Sequence, residues 1–159
     1  MPNDSALIDE MLRSAKTIAV VGMSDKPHRA SYNIGRYLAA HGYRVLPVNP
    51  AVKEVLGMEC YPDLDAARAA ALNESVQAQS SAQAGAQARA GIHLVDVFRA
   101  SEHVPAIVDD VIRLKIPYLW LQDGVMHDEA VARARAAGVK CVQNDCIFRE
   151  HAKREQLHK

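Results

Sequence analysis

The sequence is poor in aromatic side chains: Phe, Trp and Tyr together make up 5% of it, with a single Trp and two Phe. Its core must therefore come from Val, Ile, Leu and Ala, which dominate the 49% hydrophobic share. It also lacks net charge, with 19 Lys+Arg against 19 Asp+Glu. A general polyanion binder carries a basic surplus, so no nucleic-acid partner is expected. No apolar run approaches the roughly 18 residues of a spanning helix, and no membrane segment is expected. The opening Met1-Pro2-Asn3-Asp4-Ser5 has no basic stretch leading into an apolar block, unlike a signal peptide. Cysteine is scarce, and the three that occur (Cys60, Cys141 and Cys146) form an odd set with no CxxC spacing. That fits a reduced, cytoplasmic protein and speaks against a disulfide framework or a zinc site. The seven histidines show no HExxH or HxH spacing. GxSxG and GxxxxGK[ST] are missing too, so no nucleophile with its base and no Walker-type loop is in view.

What is present is an alternation of short apolar runs and helical patterns. At 159 residues the chain is the size of one domain, and we expect it to fold as one over residues 1–159. Leu7, Ile8, Met11 and Leu12 recur at helical spacing behind Asp4 and Ser5, which suit a helix cap. Thr17 to Gly22 is a short apolar run ending in glycine, the mark of a strand buried on both faces in a parallel sheet. After a polar loop, Ser31 is placed to cap a helix through Ile34, Tyr37 and Leu38 that stops at Gly42. Arg44 to Val48 is a second strand, in which Pro47 signals an end or an irregularity. Val52 to Asp63 has little periodicity and is expected to hold one short edge element. Further strands follow at His93 to Val97, Tyr118 to Leu121 and Lys140 to Val142. Helical patterns lie between them at Val104, Ile107, Val108, Val111 and Ile112, and at Ala130, Val131, Ala134 and Ala137. Such alternation predicts right-handed βαβ units: an α/β fold of three layers, α/β/α, with a five-stranded parallel sheet and room for one short edge strand. The expected strand order is 2-1-3-4-5, which reverses between strands 1 and 3. Ligands bind at such a reversal, outside the carboxyl ends of the strands. Residues 66–90, rich in Ala, Gln, Ser and Arg, break the rhythm. They read as an Ala/Gln-rich insertion, helical near Leu64 to Leu72 and mobile beyond, without a face to bury.

The loop after the first strand carries the clearest chemistry. Gly22, Met23 and Ser24 lead from a strand into a helix N-terminus, where free N–H groups and the helix dipole favour an anion. Ser24, Lys26, His28, Arg29 and Ser31 can add hydroxyls and positive charge; the plain alternative is a tight turn with solvated charges. The loop is not a dinucleotide fingerprint. GxGxxG needs three glycines where only Gly22 stands, and the acidic residue expected after strand 2 is replaced by Asn49, followed by Pro50. A nucleotide with extra phosphate suits these cations better than a bare ribose diol.

The other strand ends offer Phe98 and Arg99 where the crevice opens, Gln122 and Gly124 after the fourth strand, and Cys146 after the fifth. Each has a plainer alternative: a surface ion pair for Arg99, a turn glycine for Gly124, and a small buried hydrophobe for Cys146.

Several blocks together resemble a known family: Ile18 to Ser24 (IAVVGMS), Ser31 to Leu38 (SYNIGRYL), Gly42 to Pro50 (GYRVLPVNP), Leu94 to Arg99 (LVDVFR), Trp120 to Val125 (WLQDGV) and Asp128 to Ile147. The chain resembles the small stand-alone CoA-binding proteins of Rossmann-like fold, which are similar to the CoA-binding domain of the succinyl-CoA synthetase alpha subunit. The resemblance implies coenzyme A or an acyl-CoA as ligand. Gly22, Met23 and Ser24 would wrap the pyrophosphate, with Lys26 and Arg29 nearby. Asn49 and Pro50 would flank the adenosine end, and Phe98 and Arg99 would line the crevice. Gln122 and Gly124 would lie along the pantetheine path, with Cys146 near its far end. Three departures mark this chain: the 66–90 insertion, His127 where the family commonly has asparagine, and Gln143-Asn144-Asp145 where an arginine often precedes the cysteine. The synthetases' phosphorylated histidine and grasp domain are also absent. The expectation is non-catalytic binding of CoA or acyl-CoA, with a protein partner or a homodimer left open. The alternatives are an NAD(P)-dependent oxidoreductase and a redox role in which Cys146 pairs with the CoA thiol.

Overall fold

The computed structural model describes residues 3–78 and 91–157. In chain order the elements are α1 (Ser5–Ser14), β1 (Thr17–Val21), α2 (Ala30–Ala40), β2 (Arg44–Val48), β3 (Glu54–Val55), β4 (Met58–Glu59) and α3 (Leu64–Ala78). They continue with β5 (Leu94–Val97), a 3-10 turn at Ser101–His103, α4 (Val104–Arg113), β6 (Tyr118–Leu121), α5 (Asp128–Ala136), β7 (Lys140–Val142) and α6 (Ile147–Leu157). Five strands form one parallel sheet in the order β2-β1-β5-β6-β7, as expected from the sequence.

The strands are buried on both faces because alternate side chains enter two cores. Ala19, Val21, Val95, Val97, Leu119 and Leu121 pack under α3, α4 and α5. Ile18, Val20, Leu94, Trp120 and Val142 pack under α1, α2 and α6. Each aliphatic side chain fully buried this way contributes about 1.5–3 kcal/mol, which lets a core with so few rings hold together. The helix after β1 therefore lies on one face and the helix after β5 on the other, so the crevice opens between the ends of these adjacent strands.

Four local features differ from the sequence reading. Ser31 does not cap α2: the helix starts at Ala30, with Arg29 at the cap position and no side chain bonded there. Ser31 is used otherwise, as its Oγ accepts the Ser24 N–H at 2.9 Å. Pro47 lies inside β2 without ending it, paired with Val20. Its carbonyl accepts from Tyr61 N–H on the outer side at 2.9 Å. The missing N–H therefore also faces outward and costs β1 no ladder bond.

The third difference is at residues 52–63. They form a two-residue antiparallel hairpin, β3 with β4, and a single bridge from Tyr61 to Val48. The fourth is the start of the insertion. Leu64, Ala67 and Ala71 lie on one side of α3 and are buried against the sheet. Small side chains let the helix approach closely, so alanine content that reads as faceless is a packing face. The remainder of the insertion, 79–90, lies outside the described residues. Among the described residues no helix is long and apolar enough to cross a membrane.

Candidate functional site

The site begins with the turn that ends β1. Gly22 has φ +85° and donates its N–H to Val48 O at 2.8 Å, tying β1 to the end of β2. A Cβ at Gly22 would sit 3.0 Å from the Phe98 carbonyl oxygen and 3.1 Å from Arg99 Cδ. Glycine is needed there for both its backbone angle and the close approach of the β5 end. Met23 then turns inward. Its side chain is fully buried, and a Cβ on Gly35 of α2 would stand 2.3 Å from its Cε. Only the backbone of Met23 belongs to the loop surface.

Three side chains hold the loop in shape. Ser31 Oγ accepts from Ser24 N–H at 2.9 Å, and Ser24 Oγ accepts from Lys26 N–H at 3.0 Å. Asn49 donates from Nδ2 to Met23 O at 3.1 Å and accepts from Ala51 N–H at 2.9 Å. Asn49 thus bridges the loops after β1 and β2, in the place where a dinucleotide fold would present a carboxylate to a ribose. The Cys60 thiol lies beneath, 3.6 Å from Asn49 O, and burial pushes its pKa up.

Between these loops and the end of β5 lies a cavity of about 440 Å³, lined in part by Gly22, Ser24, Lys26, Arg29, Asn49 and Phe98. Asp25, Ala30, Ser31 and Val52 complete its wall. Asp25, Ala30 and Val52 were not singled out from the sequence; Val52 belongs to a stretch without periodicity and gave no signal. The N-terminus of α2 faces this space. Its first-turn N–H groups have no carbonyl within the helix to meet, no side chain of the described residues caps them, and the turn contains no acidic residue. Lys26 and Arg29 are exposed at the rim. Asp25 stands beside Lys26 at 3.9 Å with both side chains solvated, a pairing worth little. The arrangement therefore leaves backbone donors and positive charge turned to one concave space, which fits an anionic phosphate group.

The remaining candidates lie elsewhere. Pro50 is exposed in the turn beyond Asn49. Arg99 lies against Gly22 and approaches His103, with Nη2 to Nε2 at 3.2 Å. Gln122 is buried, and its Oε1 accepts the Ile147 N–H at the start of α6. Gly124, at φ +80°, donates to Asn144 Oδ1 at 2.8 Å. Cys146 is half-buried, with its N–H on Asp145 Oδ1 at 2.8 Å. Among the described residues, no group of His, Cys, Asp and Glu is placed to hold a metal ion.

One charge-bearing group lies under this crevice and escaped notice in the sequence. Asp96 is fully buried in β5, level with Val20 of β1 and Trp120 of β6. By strand alternation it lies on the α1/α2/α6 face. Neither carboxyl oxygen has a hydrogen-bond partner among the described residues, and burial holds its pKa well above the ordinary carboxylate range.

Comparison with known proteins agrees with this geometry. The chain is 33% identical over 153 residues to YneT of Bacillus subtilis (strain 168), covering 96% of this chain and 98% of that protein. A hypothetical protein from Pyrococcus horikoshii OT3 superposes with a TM-score of 0.76 at 31% identity, covering 96% of this chain and 95% of that one. A Thermus thermophilus protein superposes with a TM-score of 0.75 at 29% identity, covering 95% and 98%. The family described as "CoA binding domain" matches residues 16–152. With that match spanning the sheet and the cavity at its carboxyl end, the chain belongs to the CoA-binding domain family.

Proposed function

We propose that the protein binds coenzyme A or an acyl-CoA without performing chemistry on it, with the pyrophosphate on the loop after β1. The observation that carries this reading is the uncapped N-terminus of α2 facing the cavity beside Lys26 and Arg29. Backbone N–H groups of Ser31 and Tyr32 would meet phosphate oxygens. The two cations would take the remaining charge, including the 3′-phosphate. Val52 and Phe98, half-buried on the wall, would pack against the adenosine. Pro50 borders that end from the turn beyond Asn49. Nothing in the geometry favours the NAD(P) alternative, since Asn49 is committed to Met23 and Ala51.

Titration calorimetry tests the proposal. CoA should bind more tightly than 3′-dephospho-CoA. Arg29→Ala and Lys26→Ala should each weaken CoA about tenfold, the loss of one charged hydrogen bond. Equal affinity for the two ligands, or an unchanged affinity in the double variant, removes the role of these cations. No saturable heat with CoA overturns the reading.

A further inference from the structure

We propose that Arg99 is a movable cation of the ligand site, parked on neutral His103 in the free protein and turned onto a phosphate when the ligand enters. The inference rests on the CoA reading above. It makes His103 a positioning residue and ligand affinity a quantity that rises as pH falls.

The arginines of this protein spend their charge unequally. Arg113, Arg133, Arg149 and Arg154 each pair with a carboxylate. Arg99 stands at the end of β5 with no carboxylate partner among the described residues, and the group it meets is His103, with Nη2 to Nε2 at 3.2 Å. A guanidinium only donates, so Nε2 accepts and the ring is neutral, with its proton on Nδ1. A carboxylate in the same place would cancel the charge of Arg99 and repel an incoming phosphate. A neutral ring holds the guanidinium and leaves its charge for an anion.

The stem of Arg99 supplies the pivot. Its Cδ lies over Gly22, where an added Cβ would come within 3.1 Å of it. Gly22 lines the cavity and Arg99 does not. Rotation about the last bonds of the side chain, with the stem left on Gly22, carries the guanidinium from His103 toward the cavity. There it would meet a phosphate from the side opposite the α2 N-terminus, Lys26 and Arg29. His103 decides how easily this happens. The 3-10 turn that carries it is held to the Gly124–Met126 segment through Ser101 Oγ, and that segment brings no charge. Among the described residues the charged groups beside the ring are Arg99 and Glu102, whose Oε1 stands 4.0 Å from the same Nε2. A proton on Nε2 removes the acceptor that parks Arg99, sets two cations side by side and gives the ring Glu102 as its partner instead. Each change favours release of Arg99, so anion binding and protonation of His103 reinforce each other.

The test is calorimetry with CoA on the parent, Arg99→Ala, His103→Ala and the double variant, at pH 8 and pH 5.5. At pH 8 Arg99→Ala should weaken CoA about tenfold, whereas His103→Ala should tighten it about fivefold, the loss of one neutral hydrogen bond that competes with the ligand. In the Arg99→Ala background His103→Ala should change the affinity by less than about twofold. Lowering the pH should tighten binding more in the parent than in His103→Ala, by about the same fivefold factor. His28 and the ligand phosphates titrate in both proteins and cancel in that comparison. An equal effect of His103→Ala with and without Arg99, a weakening by His103→Ala at pH 8, or the same pH dependence in the parent and His103→Ala overturns the inference and leaves CoA binding standing. Absence of CoA binding by all four proteins overturns both.

Discussion

Asp96→Asn isolates the energetic consequence of a carboxylic acid buried without a partner. The side chain has no exposed surface and no bonded oxygen among the described residues, and burial is the cause of its raised pKa. In the unfolded chain the same carboxyl returns to its ordinary value of 3.8. Above that pH the unfolded state releases a proton that the folded state keeps. Stability therefore falls as pH rises from about 4, by about 1.4 kcal/mol per pH unit, until the pH reaches the folded pKa. Asparagine has nearly the same shape and does not titrate in this range. Its buried amide costs about 1–3 kcal/mol, but that cost is constant with pH.

The quantity to measure is the difference in unfolding free energy between Asp96→Asn and the parent, by urea titration from pH 4.5 to 8. Trp120, fully buried and level with Asp96 on the neighbouring strand, reports through its fluorescence. The difference should move in favour of the variant as pH rises, by up to about 1.4 kcal/mol per pH unit, and level off once the pH passes the folded pKa of Asp96, with unchanged m-values. Other titrating groups occur in both proteins and cancel. A difference that stays constant within about 0.5 kcal/mol across this range refutes the reasoning, because a neutral Asp96 cannot produce parallel curves.

Gly35→Ala should destabilise the fold by about 1–3 kcal/mol, since the new methyl group meets Met23 Cε at 2.3 Å; thermal melts should show recovery when Met23→Ala is added. His151, which is buried and shares a 2.8 Å hydrogen bond with Tyr37, has its pKa lowered by burial, with His41 adding to the effect and Glu155 opposing it. A base whose folded pKa is depressed is neutral in the fold, so stability should fall as pH drops below about 6.5 and level off beneath the folded pKa. His151→Gln should flatten that acid limb in the same melts. Leu56 holds φ +54° in the β3–β4 turn, ahead of Gly57 at φ +77°. Leu56→Asn should therefore raise the unfolding free energy by a few tenths to about 1 kcal/mol.

The fold was legible because its signals are local and repeated. Each buried strand announces itself as an apolar run, and the helices between them carry Val, Ile and Leu at helical spacing. Where one large residue was replaced by several small ones, the signal failed. Ala67 and Ala71 bury α3 as fully as any leucine buries its helix, yet alanine is neutral in a hydrophobic pattern. Ser31 failed for another reason. A serine ahead of a helix suits a cap, but the Ser24 N–H seven residues earlier competes for the same oxygen and takes it.

The candidate site divides along the same line. Gly22, Ser24, Lys26 and Arg29 are close in sequence, and a strand, a glycine turn and a helix start suffice to place them around one cavity. Gln122, Gly124 and Cys146 read equally well as ligand-binding groups, being a strand-end amide, a glycine and a thiol. The partners of the first two lie far along the chain: Ile147 is 25 residues from Gln122, and Asn144 is 20 from Gly124. Bonds at that separation leave no trace in local pattern. Asp96 is the converse. Its neighbours in sequence are apolar, and across the sheet it faces Val20 and Trp120. A lone acid in such a run reads as solvent-facing until the strand order places it at the centre of the sheet. The strand that leads to Phe98 on the cavity wall thus carries a destabilising group two residues earlier. Retaining such a group at the base of the crevice costs stability, which makes the Asp96→Asn protein the first in which to ask whether ligand affinity and fold stability change together.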